Sequence, residues 1–439
     1  MANKNILDTI GPRTFVDFPD LGLKNIPAKV DTGADFSSIW ASDIKDEEGM
    51  LKFKLFDNNS RFYNGATITT KDYSVTSIKN SFGDSEFRYK VRLQSSFGGR
   101  TIKATFTLAN RSNTKYPVLI GARTLRGKFV VDVAKKSQKR NYEVLLLTSK
   151  KHKDLAKFVE GIRQDKRSIN FSVVDYKDLE FYLETTKSKV VIGSNGRDLV
   201  SFDAVYFKHS KENIDVAVAV ANYLSNRKIL FFDEALANKT STDKLYQYLI
   251  LADNEIPIPK TIFLPSEKLK KSYKALIGKL GSPFILKDIS ANRGKNNFLI
   301  GNNKNFQRVC NIENSTIRYV AQKLIPNNGD YRVLIMGKRI KLVISRQRLS
   351  EKTHLNNISA GGKAKLLETN SIPLKVQKFS INAATLLKRN IAGVDVAQDK
   401  EHGSWYCFEV NAGAQLTDGA FVDEKQQAFS EFISTQLTK

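Results

Sequence analysis

The feature that most constrains the fold is a change in hydrophobic pattern near residue 142. Before it, short β-branched or alternating runs such as 87–93 and 101–108 are separated by turn residues, and Gly98-Gly99 between these two runs predicts a hairpin. After it, strand-like and helix-like segments alternate, beginning with the apolar run 143–148. The first pattern is typical of a small all-β barrel, and the second of a mostly parallel α/β layer. The 439 residues are therefore expected to form more than one domain.

We predict a multidomain fold with three parts. Residues 1–138 form an all-β barrel, and the basic, polar stretch 134–140 reads as a linker. Residues 139–240 form an α/β domain with a mostly parallel sheet. Residues 241–439 mix helices with antiparallel-looking strands, which is an α+β pattern.

Composition excludes several classes of protein. Hydrophobic content of 41% supports packed cores, and no apolar run approaches the roughly 20 residues of a membrane helix. No secretory signal is visible, and two cysteines cannot build a disulfide framework, so we expect a cytoplasmic protein without a membrane partner. The net charge of +25 is spread along the chain; it favours an anionic partner, but a plain lysine-rich surface explains it equally well.

Three oxygen-bearing residues near the C-terminus form the most informative motif. Glu409 and Asn411 are two residues apart in a strand-like run, so their side chains point to the same face. Asp395 lies in another short apolar run that could be a neighbouring strand. Oxygen ligands converging from two strands suit Mg²⁺. The alternative is a hairpin that simply carries surface carboxylates.

Basic residues upstream are placed as a phosphate site would need them. Lys287 ends an apolar strand, and a polar turn over 290–296 follows it, able to fold over phosphates. Lys244 stands at a helix start, while Arg332 and Arg346 stand in successive strands. Each of these side chains taken singly is more often a solvated surface group. Their order along the chain is what points to ATP.

This order resembles the ATP-grasp superfamily over residues 142–435, and most closely the ribosomal-protein glutamate ligases of the RimK type. The resemblance implies that the ATP phosphates are bound by Lys244, Lys287, Asn292, Arg293 and Gly294. It implies an adenine pocket lined by Gln322, Lys323, Leu324 and Ile325. It implies Mg²⁺, with Mn²⁺ as an alternative, held by Asp395, Glu409 and Asn411. It implies that the transferring phosphoryl group and acyl intermediate are faced by Arg332, Arg346 and Asn357.

The reaction implied by this resemblance is ATP-dependent amide formation through an acyl phosphate. Glutamate would be added to a carboxylate-bearing, acidic protein or peptide, which suits the positive charge. Nucleic acid is not required. The sequence departs from the family in its phosphate loop, which has one glycine, in Lys323 where an acid is usual, and in Ala412–Gln415 where a Ser-Pro-Gly run is usual. The alternative is a basic module that binds RNA, ribosomes or peptides and carries an inactive barrel.

A second motif lies in the first domain. Asp31-Thr32-Gly33 follows an apolar strand, and Val118-Leu119-Ile120-Gly121 occurs downstream. Together they resemble the RimK-associated, retropepsin-like peptidases of the RimB type, in which Asp31 would be catalytic and the barrel would trim the ligase product. Aspartic proteolysis needs two carboxylates. Because the chain has one such motif, an active peptidase would need Asp31 from each chain of a homodimer. Asp35 as the second carboxylate, or an inactive substrate-binding barrel, are the alternatives.

Overall fold

The computed structural model separates the chain into two compact units, Met1–Tyr142 and Glu143–Lys439. The residues that the structure describes are 7–57, 60, 62–79, 85–135, 141–149, 153–163, 169–185, 187–208, 210–238, 243–291, 296–311, 317–347, 363–412 and 414–437. In these ranges no helix is long and apolar enough to cross a membrane.

The N-terminal unit is built from strands. They are β1 (Asp8–Ile10), β2 (Arg13–Phe18), β3 (Leu23–Asp31), β4 (Ser37–Glu47), β5 (Met50–Leu55), β6 (Thr67–Thr70), β7 (Tyr73–Lys79), β8 (Ser85–Phe97), β9 (Arg100–Ala109), β10 (Val118–Gly121) and β11 (Phe129–Val131), with the short helix α1 (Ala122–Leu125). The predicted hairpin joins β8 to β9, and both of its glycines have positive φ, as a tight two-residue turn requires.

The main sheet of this unit closes on itself. Its order is β10-β3-β2-β8-β9-β4-β5-β6, with β7 beside β8, and β10 pairs with β4 as well as with β3. Val118 lies opposite both Ala28 and Ile39, in parallel with β3 and antiparallel to β4. Alternate residues of the strands point inward, as the period of two demands, and phenylalanines such as Phe53 and Phe106 fill the core. This closure places Gly121 beside Asp31.

The C-terminal unit alternates strands and helices before it becomes antiparallel. Its strands are β12 (Tyr142–Thr148), β13 (Ile169–Asp175), β14 (Leu179–Glu184), β15 (Lys187–Ile192), β16 (Arg197–Asp198), β17 (Ala204–Phe207), β18 (Leu230–Phe232), β19 (Thr261–Phe263), β20 (Phe284–Asp288), β21 (Asn297–Ile300), β22 (Tyr319–Lys323), β23 (Asp330–Met336), β24 (Arg339–Gln347), β25 (Lys363–Leu367), β26 (Ile391–Gln398) and β27 (Trp405–Asn411). Its helices are α2 (Lys153–Arg163), α3 (Ile214–Asn226), α4 (Lys244–Asp253), α5 (Ser266–Lys270), α6 (Tyr273–Leu280), α7 (Asn303–Cys310), α8 (Leu374–Leu386) and α9 (Val422–Leu437).

Three larger sheets organise this unit. The first has the order β13-β12-β17-β18, with β17 parallel to both of its neighbours, as the alternation of strands and helices predicted. The second, β19-β22-β20-β21, and the third, β25-β24-β23-β26-β27, are antiparallel. Helix α8 packs its apolar side against β26 and β27, so the third sheet has one face in the core. Lys244 lies on α4, Lys287 lies on the second sheet, and Asp395, Glu409 and Asn411 lie on the third.

Candidate active site

The third sheet brings the predicted oxygen ligands together. In the antiparallel pair of β26 and β27, Asp395 lies directly opposite Glu409, and Gly393 lies opposite Asn411. The amide nitrogen of Asn411 donates a hydrogen bond of 3.2 Å to Asp395 Oδ2, which leaves the amide oxygen of Asn411 as an acceptor. Directly opposed residues and their diagonal neighbours share one face of a sheet. The three side chains therefore form one cluster of oxygen atoms.

Two buried arginines compensate the charge of Asp395. Arg332 is the partner of Asp395 across β23 and β26, and its Nε and Nη2 each donate to the carboxylate at 2.9 Å. Arg346 lies opposite Asp330 and binds that carboxylate at 2.7 and 2.8 Å, while its Nη2 is also 3.1 Å from Asp395. The result is an alternating network of two carboxylates and two guanidinium groups.

The network sets the protonation of its members. Burial alone would raise the pKa of Asp395, but Arg332 and Arg346 hold it below its ordinary value. Burial raises the pKa of Asp330, against the opposing effect of Arg346. Burial alone would lower the pKa of Arg346, but Asp395 and Asp330 hold it above its ordinary value. Asp395 is thus kept ionised, which a metal ligand requires.

Two lysines approach the same cluster from other elements. Lys244 stands at the start of α4, where the Asp243 carboxylate caps the helix through the amide of Tyr246 at 2.8 Å. Lys244 Nζ donates to the Ala291 carbonyl and lies 3.5 Å from Glu409 Oε1. The chain places this ammonium at a rigid helix end, next to a proposed metal ligand.

Lys287 is the second lysine of this cluster, and it projects from β20. Its Nζ donates to Gln322 Oε1 at 2.5 Å and lies 5.6 Å from the centre of the Phe408 ring. Burial, together with the neighbouring charge of Lys244, lowers the pKa of Lys287 to about 8, although Glu409 acts in the opposite direction. An ammonium so poorly solvated gains from a nearby anion, and phosphate oxygens are such a ligand.

The segment that follows Asn411 is tied to the arginine network. Gln415 Oε1 accepts a hydrogen bond of 2.6 Å from Arg332 Nη1. Lys425 on α9 donates to the carbonyls of Gln415 and Asp418, both at 3.1 Å, and burial lowers the pKa of Lys425 to about 8. Lys208 Nζ donates a hydrogen bond of 2.5 Å to Thr417 Oγ1. This segment is thus held by three cations, two of which, Arg332 and Lys208, come from distant parts of the chain.

Three residues of this network, Asp330, Gln415 and Lys425, are not among the site residues predicted from the sequence. A signal for Lys425 was present, because it occupies the first position of the apolar stripe 425, 428, 429, 432 on α9, where a lysine is unexpected. For Asp330, the available signal was its place two residues before Arg332 in the same strand. For Gln415 we find no sequence signal beyond its place after the Glu-x-Asn motif.

The remaining predicted residues fall into two groups. Gln322 is buried, binds Lys287 and donates to Thr261 Oγ1 at 2.8 Å, while the Lys323 amide donates to the Lys260 carbonyl at 2.9 Å. Leu324 is half-buried and Ile325 is buried, both directly after β22. The predicted residues outside the described ranges are Asn292, Arg293, Gly294 and Asn357.

The donor set fits a hard cation. Within the cluster, Asp395, Glu409 and Asn411 offer oxygen atoms, which magnesium prefers over nitrogen or sulfur. The Glu409 side chain is 27% exposed, and Lys244 Nζ lies 3.5 Å from its Oε1. These residues would hold a magnesium ion, and the lysines would neutralise phosphates bound to it.

In the N-terminal unit, Asp31 ends β3 in a tight turn. Its Oδ1 accepts from the Gly33 amide at 3.2 Å, and its Oδ2 lies 3.2 Å from Lys29 Nζ. Its side chain is 29% exposed, so the carboxylate is accessible. Asp35, considered as a second carboxylate, is instead bound by Arg123, with contacts of 2.8 and 2.9 Å from Nε.

The turn that carries Asp31 is braced by the segment after β10. A Cβ atom at Gly121 would lie 2.4 Å from the backbone of Phe36, so only glycine allows this approach. The Gly121 amide donates to Ser37 Oγ at 3.0 Å, and that hydroxyl bonds Thr124 Oγ1 at 2.7 Å. The Ile-Gly pair noted in the sequence therefore fixes the loop next to Asp31.

Comparison with solved structures identifies the fold of the C-terminal unit. The fold matches that of the ATP-grasp ligase PsnB in complex with its minimal precursor, with a TM-score of 0.51, 14% identity and coverage of 68% of this chain and 100% of that chain. D-alanyl-alanine synthetase A from Vibrio cholerae gives a TM-score of 0.50 at 15% identity, covering 68% of this chain and 98% of that one. The C-terminal unit thus has the ATP-grasp fold.

Family models define the chain more closely. Residues 241–426 match the RimK-like ATP-grasp domain, and residues 10–141 match the retropepsin-like aspartic endopeptidase RimB. The chain therefore carries a RimB-like domain followed by a RimK-like ATP-grasp domain. It is 26% identical over 417 residues to a probable alpha-L-glutamate ligase of Shewanella pealeana, covering 88% of each chain. A probable alpha-L-glutamate ligase of Desulfotalea psychrophila is 24% identical over 438 residues, covering 93% of this chain and 91% of the relative.

Proposed function

We propose that this protein is an ATP-dependent carboxylate–amine ligase that adds glutamate to an acidic protein or peptide. The observation that carries the proposal is the convergence of Lys244 and Lys287 on the cluster of Asp395, Glu409 and Asn411. The two lysines would bind the phosphates of a nucleotide. The three oxygen-bearing side chains would bind its magnesium ion. The names of the relatives support glutamate as the amino acid.

The chemistry would proceed in two steps. A carboxylate oxygen of the acceptor attacks the γ-phosphorus of ATP, and the bond to the bridging oxygen breaks, giving an acyl phosphate and ADP. The amine of the incoming amino acid then attacks the acyl carbon, loses a proton and displaces phosphate, leaving an amide. Bound magnesium would neutralise phosphoryl charge throughout. Positioning and charge stabilisation supply most of the catalysis in reactions of this type.

The residues of this chain would divide these tasks. Lys244 and Lys287 bind the phosphate oxygens. Arg346 orients Asp395, while Arg332 has five N–H groups and uses three of them for Asp395 and Gln415, so two remain for the acyl phosphate. The adenine ring would lie beside residues 322–325. The loop residues 292–294 and Asn357 would complete the contacts to the phosphoryl group.

For the N-terminal domain we propose a retropepsin-like peptidase that shortens the added tail. One accessible carboxylate, Asp31, stands in a braced Asp-Thr-Gly turn, and Asp35 is bound by Arg123. The second carboxylate would come from Asp31 of another copy of the chain, which makes the active form a homodimer. Mixing wild-type protein with an excess of Asp31→Asn chains should then suppress trimming.

The ligase proposal is tested by incubating the full chain with ATP, Mg²⁺, a panel of amino acids and acidic peptides, following ADP release and peptide mass. Glu409→Gln and Lys287→Met should abolish ADP formation. The matched substitutions Glu401→Gln and Lys279→Met, at exposed positions, should not. Sustained turnover in Glu409→Gln would remove the metal assignment. Salt-dependent RNA binding with no ADP release on any substrate would favour a basic binding module instead.

The peptidase proposal has a separate readout. Asp31→Asn should leave ADP release unchanged and give longer tails, whereas Asp20→Asn, at an exposed position of the same domain, should give tails of wild-type length. Tail lengths that are the same in Asp31→Asn and wild type would overturn the trimming role.

A further inference from the structure

A basic groove lies in the C-terminal unit away from the proposed active site. Its volume is about 510 Å³, and its walls are the β23–β24 turn, the end of α8 and the C-terminal half of α9. Met336, in one wall, pairs with Ile391, which precedes Asp395 by four residues on β26. At the rise of a β-strand, the groove is therefore about 13 Å along the sheet from Asp395.

The groove carries an excess of positive charge. The charged side chains that line it are Glu234, Lys338, Arg339, Lys341, Lys388 and Arg389. Glu234, the one acid in this set, accepts from Asn390 Nδ2 at 3.0 Å, and Lys341 is paired with Glu431 at 3.0 Å. Lys338 and Arg339 are exposed, and neither forms an ion pair with another described residue. The rim thus presents two free cations.

One residue that lines the groove, Arg389, is a buried cation. Arg389 is 5% exposed and donates from Nη1 to the Val410 carbonyl. Among the described residues, no carboxylate lies within ion-pairing distance of it, and burial lowers the pKa of this guanidinium, although the more distant charges of Asp233 and Glu409 act in the opposite direction. Keeping a buried charge without a paired anion is costly, so a carboxylate entering the groove would offset part of that cost.

We propose that this groove is an exosite for a carboxylate-rich peptide, namely the glutamate-bearing tail of the ligase's own product. The proposal rests on the proposed function, because that reaction adds one carboxylate to the product with each glutamate. The volume of the groove is in the range typical of ligand-binding pockets, and it is large enough for a few side chains of an extended peptide. Phe432, the aromatic residue in its described lining, is 4% exposed and offers no face for stacking a base, so the chemistry favours peptide over nucleic acid.

The position of the groove gives the exosite a length requirement. A tail that starts at the acyl centre near Asp395 and follows the sheet must span about 13 Å, which takes about four extended residues. Arg389 also connects the groove to the site, because Val410 stands between Glu409 and Asn411 on β27. A short product would leave after each addition, whereas a longer tail would be retained and extended again.

The test measures binding of fluorescein-labelled oligoglutamates of two, six and ten residues to the full chain, without ATP, by fluorescence anisotropy. The six- and ten-residue peptides should bind, and Lys338→Glu/Arg339→Glu should weaken their affinity at least about tenfold, as expected for loss and reversal of two rim charges. The matched control is Lys274→Glu/Lys279→Glu, which makes the same charge change on exposed positions of α6. It should change the affinity by less than about threefold.

Several outcomes would overturn the exosite. They are equal weakening in both double variants, absence of binding by the ten-residue peptide, and displacement of the peptide by oligouridylate at lower concentration than by oligoglutamate. In ligation assays the Lys338→Glu/Arg339→Glu variant should keep its rate on a short acceptor but give mostly single additions. Because the binding assay needs no turnover, absence of ligation in wild type with intact tail binding would reject the ligase proposal and not the groove.

Discussion

Removing Arg346 should destabilise the third sheet far more than removing an exposed arginine. Arg346 is 3% exposed and contacts two carboxylates, Asp330 and Asp395, which together with Arg332 form a buried cluster of zero net charge. Arg346→Met leaves the cluster with one uncompensated negative charge. Breaking a buried ion pair in this way typically costs about 3–5 kcal/mol. We expect Arg346→Met to lower the free energy of unfolding by an amount in that range.

Replacing Asp330 together with Arg346 should recover much of the lost free energy of unfolding. In Asp330→Asn/Arg346→Met one charge of each sign is gone, and the pair of Arg332 and Asp395 remains neutral. The double variant should therefore be more stable than the sum of the two single variants predicts, by about 1–3 kcal/mol of coupling. Removing both members of a buried ion pair costs far less stability than removing one member and leaving the other charge unpaired.

Trp405 makes the measurement specific to this sheet. It lies on β27, and its ring centre is 5.3 Å from that of Tyr331 on β23. The chain has two tryptophans, so a Trp40→Phe background leaves Trp405 as the reporter of urea unfolding. Arg339→Met, on the same strand but exposed, is the control and should change the free energy of unfolding by less than about 0.5 kcal/mol.

The reasoning would be refuted by a loss of less than about 1 kcal/mol in Arg346→Met, or by additive effects in the double variant. The same proteins separate two roles of Arg346. If it acts only by orienting Asp395, the double variant regains ADP formation together with stability. If it contacts the transferring phosphoryl group, stability returns and ADP formation does not.

Three further predictions concern single groups of the site. The affinity for ATP should fall as the pH rises through about 8, because the buried Lys287 ammonium loses its proton there, and calorimetry of Lys287→Arg should show this fall only at higher pH. The pKa of Lys425 is about 8 in the folded chain, below its ordinary value, so the folded state binds fewer protons than the unfolded state above that pH. Thermal stability should therefore rise between pH 8 and 10 by more in wild type than in Lys425→Met, and parallel curves would contradict this. Asn411→Ala should raise the Mg²⁺ concentration for half-maximal ADP formation by about 10–100-fold, and an unchanged requirement would exclude Asn411 as a ligand.

The sequence alone determined features that depend on local periodicity. Glu409 and Asn411 share a face because the side chains of a strand alternate with period two, and that relation needs no knowledge of the fold. The same holds for Lys244, placed by the capped start of α4, and for the change from β-runs to alternating elements near residue 142. The order of these motifs also indicated the ATP-grasp fold that the comparisons show.

Only the tertiary structure decided which charges meet. Arg332 binds Asp395, 63 residues away, because β23 and β26 are neighbours in the sheet, and neighbouring strands are not readable from a single sequence. Lys425 reaches the segment after Asn411 from α9, and Arg389 reaches the carbonyl of Val410 from beyond α8. Local pattern fixes the direction in which a side chain points along its own element. The partner of that side chain depends on long-range packing. Because an unpaired buried charge is costly, the carboxylates and arginines of the third sheet are stable there only once distant strands have brought them together.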